Sequence, residues 1–129
     1  MSIRESISIP GLAHGKLPIP TASKVGPLVH SGGILGMDPA THEIPEDLEA
    51  QCRLMFENVA RVMAAAGGSP ENIVKMTVWM ADKAARELLN VEWLKMFPDE
   101  ASRPARHTLE HTGFRQPVKI QCEVMGWVG

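Results

Sequence analysis

One amphipathic stretch, residues 46–66, constrains this chain more than any other feature. Leu48, Cys52, Met55, Phe56, Val59, Val62, Met63 and Ala66 recur at steps of three and four. That spacing places them on one face of a helix. Glu46, Asp47 and Glu49 crowd the first turn, where carboxylates suit the positive end of the helix dipole. Gly67 and Gly68 follow and supply a left-handed C-cap. Glu49, Arg53, Glu57 and Arg61 form a solvated stripe on the opposite face. The apolar stripe must be buried against another element for such a helix to persist.

Period-two segments supply that cover. Ile73–Met80 is predicted as a strand with Val74, Met76, Val78 and Met80 on one face. Val118–Val128 is predicted as the last strand, with Val118, Ile120, Cys122 and Val124 inward and Lys119, Gln121 and Glu123 outward. Arg106–Glu110 reads as a short strand, and residues 2–9 as an edge strand ended by Pro10. Lys24–Gly33 reads as one strand, followed by a fragment at Ile34–Gly36. A second helix is expected over 83–97, capped by Asp82, stopped by Pro98 and burying Ala85, Leu89, Trp93, Met96 and Phe97. Residues 10–23, 37–45, 69–72 and 112–117 are rich in turn formers and read as loops.

Leaving the 34–36 fragment aside, the order is β-β-α-β-α-β-β. The expected fold is α+β: a two-layer sandwich of a mixed sheet and two helices, in one domain over residues 1–129. Two stripes cover only one sheet face. A domain this small usually hides its bare face in an oligomer.

Charge and composition exclude several function classes. A net charge of −2 leaves no electrostatic footprint for a nucleic-acid backbone or an anionic membrane. Tyr is absent and aromatics total 5%, so platforms for base stacking are scarce. No run reaches the ~18 apolar residues of a membrane helix, and the N-terminus has no signal-peptide core. Cys52 and Cys122 make no disulfide framework, so a reducing, cytoplasmic setting is expected. His107 and His111 have the four-residue spacing of a helical metal pair, but on a strand they stand ~13 Å apart, too far to share an ion. The glycines from Gly32 to Gly36 match neither a phosphate loop nor a dinucleotide fingerprint, and no G-x-S-x-G occurs. Spacing alone therefore announces a fold and no chemistry, and neither metal nor cofactor is expected.

Three segments add more. The first is Leu28-Val-His-Ser-Gly-Gly-Ile34, followed by Asp38-Pro39. The second is Gln51, Phe56-Glu-Asn58-Val59, Ala64-Ala-Ala-Gly67 and Ile73-Val-Lys-Met-Thr-Val78. The third is Phe97-Pro98, Arg103-Pro-Ala-Arg106 and Val118-Lys-Ile-Gln-Cys-Glu123. Taken in this order, over roughly residues 24–128, they resemble the RidA/YjgF family of reactive-intermediate imine deaminases, also called the L-PSP endoribonuclease family. The resemblance implies a chorismate-mutase-like fold and a homotrimer whose three sheets form an inner barrel, with pockets at the subunit interfaces. It implies cofactor-independent hydrolytic deamination of small imino or enamino carboxylic acids. Arg106 would hold the substrate carboxylate, and the backbone of Ser31, Gly32 and Gly33 would line the pocket. Gln121 and Glu123 would stand at the catalytic positions of the last strand.

Arginine suits its role because a planar fork makes two parallel hydrogen bonds to a carboxylate. The competing reading of Arg106 is a salt bridge to Glu110 or Glu123. Two departures from the family pattern matter. Gln121 occupies a position usually held by Glu; an amide can orient a water but cannot accept its proton. Weak activity on 2-iminopropionate is therefore expected. The aromatic residue of the N-terminal loop, commonly Tyr in the family, has no Tyr counterpart here. His107 and His30 read as packing residues. Two other functions stay open: a non-catalytic trimer that binds small carboxylates, and an endoribonuclease-type activity, which the charge and the few aromatics disfavour.

Overall fold

The computed structural model describes residues 2–12 and 14–129; Met1, and Ala13 of the expected 10–23 loop, lie outside the described residues. Helix α1 spans Leu48–Ala65. Asp47 is its N-cap, with a carboxylate oxygen accepting from the Ala50 amide at 3.1 Å. Gly67, at φ +90°, takes the expected left-handed step at the other end, and the Gly68 amide donates to Met63 O at 2.9 Å. The predicted stripe is buried from Cys52 to Ala66, with Leu48 packed at its margin.

The strands are β1 (Arg4–Ile7), β2 (Ala22–Val25), β3 (Leu28–Ser31), β4 (Ile34–Leu35), β5 (Ile73–Met80), β6 (Ala105–Glu110) and β7 (Ile120–Trp127). They form one mixed sheet in the order β1-β2-β3-β7-β5-β6, with β4 also paired to β7. Helix α2 (Arg86–Met96) is the crossover between β5 and β6, the one parallel pair among the described residues. Helices α1 and α2 cover the face that carries Val29, Ile34, Met76, Val78, Met80, Ile120, Cys122 and Val124, all buried. The other face bears Thr77, Trp79, His107, Leu109, Gln121 and Glu123 with no layer over it. The α+β two-layer sandwich is thus the one expected. No helix among the described residues is long and apolar enough to cross a membrane.

Four expectations need correction. Lys24–Gly33 is not one strand: β2 and β3 form an antiparallel hairpin that pairs Val25 with Leu28. Gly26, at φ +56°, makes the reversal that a residue with a Cβ resists, and Pro27 completes it. Val74 does not share the face of Met76: a bulge between Ile73 and Lys75 turns it outward to 54% exposure, and Ile73 is buried instead. The second helix opens with a 3-10 turn at Lys83–Ala85, capped by Asp82 as expected, and becomes α-helical only from Arg86. The last strand starts at Ile120 because the Lys119 amide is diverted to Gln51 Oε1 at 2.9 Å.

That last contact belongs to a pair of buried amides on α1. Gln51 is fully buried, and its Nε2 donates to Pro45 O and Pro117 O, each at 2.7 Å. Asn58, also fully buried, donates from Nδ2 to Leu35 O and Met37 O, each at 2.8 Å, and accepts at Oδ1 from Arg61 Nη1. Between them they tie the end of β4, the loop after it and the loop before β7 to the helix. Gln51→Leu leaves Pro45 O, Pro117 O and the Lys119 amide without this partner. Each buried unpaired group costs about 1–3 kcal/mol, so urea unfolding should show a loss of at least about 3 kcal/mol.

Candidate active site

Arg106 leaves the edge strand β6 on the helix-covered side, in register with Met76. It forms no ion pair with Glu110 or Glu123; the one ion pair among the described residues is Lys95–Glu92. Its Nη2 donates to Asn90 Oδ1 at 2.8 Å, and its guanidinium carbon stands 4.8 Å from the centroid of the Trp93 ring. Its Nη1 is shut off from solvent and has no hydrogen-bond partner. Asn90 and Trp93 lie three apart on one face of α2, and Arg86 is one turn before Asn90. Burial, and then the charge of Arg86, pull the Arg106 guanidinium below its ordinary value, though arginine stays protonated. A desolvated cation with a spare donor and a second positive charge nearby is a ready anchor for an anion.

Gln121 and Glu123 leave β7 on the uncovered face, Gln121 in register with Trp79 and Glu123 with Thr77. A Cβ on Gly33 would collide with the Gln121 amide, so glycine is what lets that side chain lie over the backbone there. Ser31 is buried, and its hydroxyl is committed: Oγ donates to Gly32 O at 2.8 Å and accepts from the Val124 amide at 2.9 Å. The Gly32 amide donates to Thr21 O. Beside these glycines lies a small cavity lined by Leu12, His14, Thr21, Gly33, Ile34, Leu35 and Met37.

The structure therefore brings Gly33 and Gln121 together and keeps both apart from Arg106, which projects from the opposite face of the sheet. His30, Thr77 and Glu123 line a separate hollow on the uncovered face, with Lys75 and Met125. His107 is exposed on that face, in register with Thr77, and His30 is exposed too; neither packs within one chain as expected. Burial pushes the Cys52 thiol up to about 12 and the Cys122 thiol higher still, so neither is a nucleophile at neutral pH. The sequence reading missed Asn90 and His14. Asn90 left a faint signal, a polar residue between buried Leu89 and Trp93. His14 left none, since its loop has no periodicity.

The fold defines a class: a small α+β domain with the partly buried Arg106 guanidinium on the helix-covered side of its sheet and the Gln121 amide packed over Gly33 on the other. Comparison with known proteins sharpens this. The Endoribonuclease L-PSP family model matches residues 19–127. The 2-iminobutanoate/2-iminopropanoate deaminase of Salmonella typhimurium LT2 is 33% identical over 102 residues, which are 78% of this chain and 80% of the relative. RidA from the Antarctic bacterium Psychrobacter sp. PAMC 21119 superposes with a TM-score of 0.87 at 28% identity, over 96% of this chain and 99% of the other. Escherichia coli TdcF with bound serine gives a TM-score of 0.87 at 27% identity, over 97% and 99% of the two chains. The chain belongs to the RidA/YjgF family.

If Arg106 is the anchor, its loss removes charge-assisted hydrogen bonds worth on the order of 1.5–3 kcal/mol. Arg106→Ala should weaken binding of 2-oxobutanoate in calorimetry by roughly tenfold or more. Arg106→Lys, which keeps the charge and loses the fork, should recover only part of it. Unchanged affinity in both variants would remove Arg106 from the site.

Proposed function

We propose that this protein is a cofactor-independent hydrolytic deaminase of small imino or enamino carboxylic acids. The observation that carries the reading is the Arg106 guanidinium, partly buried, stacked on Trp93 and left with an unpartnered Nη1. A carboxylate supplies what that group lacks. The names of the relatives point the same way, and the bound serine of TdcF is itself a small carboxylate. Hydrolysis of a C=N bond involves no redox step. Water adds to the imine carbon while the nitrogen gains a proton; the C–N bond then breaks, ammonia leaves and a 2-oxo acid remains.

Because Arg106 and Gln121 face opposite sides of one sheet, a complete site takes Arg106 from one chain and the Gly33–Gln121 cleft from another. A homotrimer supplies such pairings and buries the uncovered face, where Leu28, Leu109 and Trp127 stand 41–56% exposed. In that assembly the hollow at His30 and Glu123, and His107 beside it, fall inside the barrel. Ser31 contributes only through its backbone, next to Gly32 and Gly33. The buried, unpaired thiols suit a reducing, cytoplasmic setting.

Gln121 sets the limit on rate. Its amide orients a water but takes no proton, and Glu123 stands about 6.6–7 Å along the same face, in reach only through a further water or for a larger substrate. A second reading rests on Gln121 and on the missing Tyr of the N-terminal loop: a trimer that binds small carboxylates without turnover. RNA cleavage ranks below both, because a net charge of −2 gives no purchase on a phosphate backbone.

Sedimentation should give about three times the 14.1 kDa chain mass, the closed ring that a split site requires. Ammonia release from freshly generated 2-iminopropionate should be slow in the wild type. It should rise in Gln121→Glu toward the ~10²-fold that a general base typically contributes. Binding of 2-oxobutanoate with no ammonia from either protein supports the non-catalytic reading. Fast wild-type release that disappears in Gln121→Glu means that the amide itself is used.

A further inference from the structure

We propose that His14 is the proton acceptor of this site, drawing the proton from a water held in the cavity between the N-terminal loop and the Gly32-Gly33 turn. The assignment rests on the deaminase reading and adds the group that reading lacks. Hydrolysis needs a base, and Gln121 is not one. Among the described residues, His14 is the one whose buried side-chain nitrogen is left unpartnered against this turn: its Nε2 is closed to solvent and has no hydrogen bond. That nitrogen lies 3.7 Å from the place a Cβ on Gly32 would occupy, so the imidazole sits directly against this turn. It faces a cavity of about 30 Å³, enough for one water, whose walls include Thr21 and Gly33. Gly33 is also the residue over which the Gln121 amide lies. One glycine thus joins the water cavity to the amide that orients the attack.

The remaining wall is apolar, from Leu12, Ile34, Leu35 and Met37. An apolar wall does not compete for the water, and the Thr21 hydroxyl already accepts from the Ile9 amide at 3.3 Å, which leaves the imidazole nitrogen as the unengaged side-chain acceptor of the cavity. With the ring proton on Nδ1, Nε2 presents a lone pair. The water oxygen bonds to the imine carbon as the C=N π pair moves onto nitrogen. Nε2 takes the proton that the water releases, and the nitrogen takes that proton back from the imidazolium. The hydroxyl proton of the resulting carbinolamine passes by way of Nε2 to the nitrogen as the C–N bond breaks, the carbonyl forms, and ammonia leaves. Substrate and water are the only reactants, and the histidine ends as it began.

The test compares His14→Ala and His14→Gln with the wild type in three measurements. These are ammonia release from 2-iminopropionate, calorimetric affinity for 2-oxobutanoate, and release with added imidazole. Ammonia release should fall by about 10²-fold or more in both variants, in line with loss of a general base. Affinity should stay within about threefold, because the carboxylate is held by Arg106. Free imidazole should restore part of the rate to His14→Ala, where the space is open, and little to His14→Gln. Adding Gln121→Glu to His14→Ala should also restore release, since a carboxylate on β7 supplies a second acceptor. A merely structural role for His14 predicts no rescue by imidazole, since Gln121→Glu raises release whatever His14 does. Unchanged release in His14→Ala overturns this assignment and leaves the deaminase reading standing. Failure of the wild type and of Gln121→Glu alike to release ammonia overturns both.

Discussion

Two buried amides on one helix face hold the backbone from which the site is made. Gln51 fixes Pro45, Pro117 and Lys119, and Asn58 fixes Leu35 and Met37. Every polar group of these side chains that is named has a partner, so the network is specific to one arrangement of the loops. These contacts hold the end of β4, two residues beyond Gly33, and the loop that leads into Gln121. Gly36 completes the device: a Cβ there would collide with the Gln51 backbone, so only glycine admits the helix this close. Cleft geometry in this protein is set by α1, well away from any reacting atom.

The sheet imposes a second constraint. Register places Arg106 with Met76 and Val124 on the covered side, and Gln121 with Trp79 and Leu109 on the uncovered side. A rigid, paired strand cannot swing a side chain through the sheet. Chemistry that needs both residues must therefore be intermolecular. The same arithmetic explains why an exposed face carrying Leu28, Leu109 and Trp127 persists in a chain with otherwise ordinary patterning.

Much of the fold was legible in the sequence, for identifiable reasons. Helix α1 could be read because its stripe, its acidic first turn and its terminal glycines agree. The sheet faces could be read wherever alternation was regular, as in β7. The reading failed where one residue breaks the pattern. Gly26-Pro27 turns a run that looks continuous, and the bulge at Val74 shifts a period that sequence alone takes as unbroken. The site was less legible. Arg106, Gln121 and the glycines came from a resemblance, and no periodicity would have singled them out. Their opposed placement depends on register between strands, which the sequence does not display. His14 sits in a loop of prolines and glycines, and only the three-dimensional cavity gives it meaning.

A functional site assembled from two chains is restored when subunits that each lack a different half are mixed. Arg106→Ala destroys the anchor, and Gly33→Leu fills the cleft where Gln121 lies. Differently tagged chains of the two kinds, co-expressed and purified through both tags, form mixed trimers. In a cyclic trimer with interfacial sites, each mixed ring contains on the order of one interface with both halves intact. Each parent should bind 2-oxobutanoate at least about tenfold more weakly than the wild type, while the mixed protein should bind it in calorimetry at about one site per ring with wild-type affinity. Mixed trimers that bind no better than their parents mean that the two halves do not share one site.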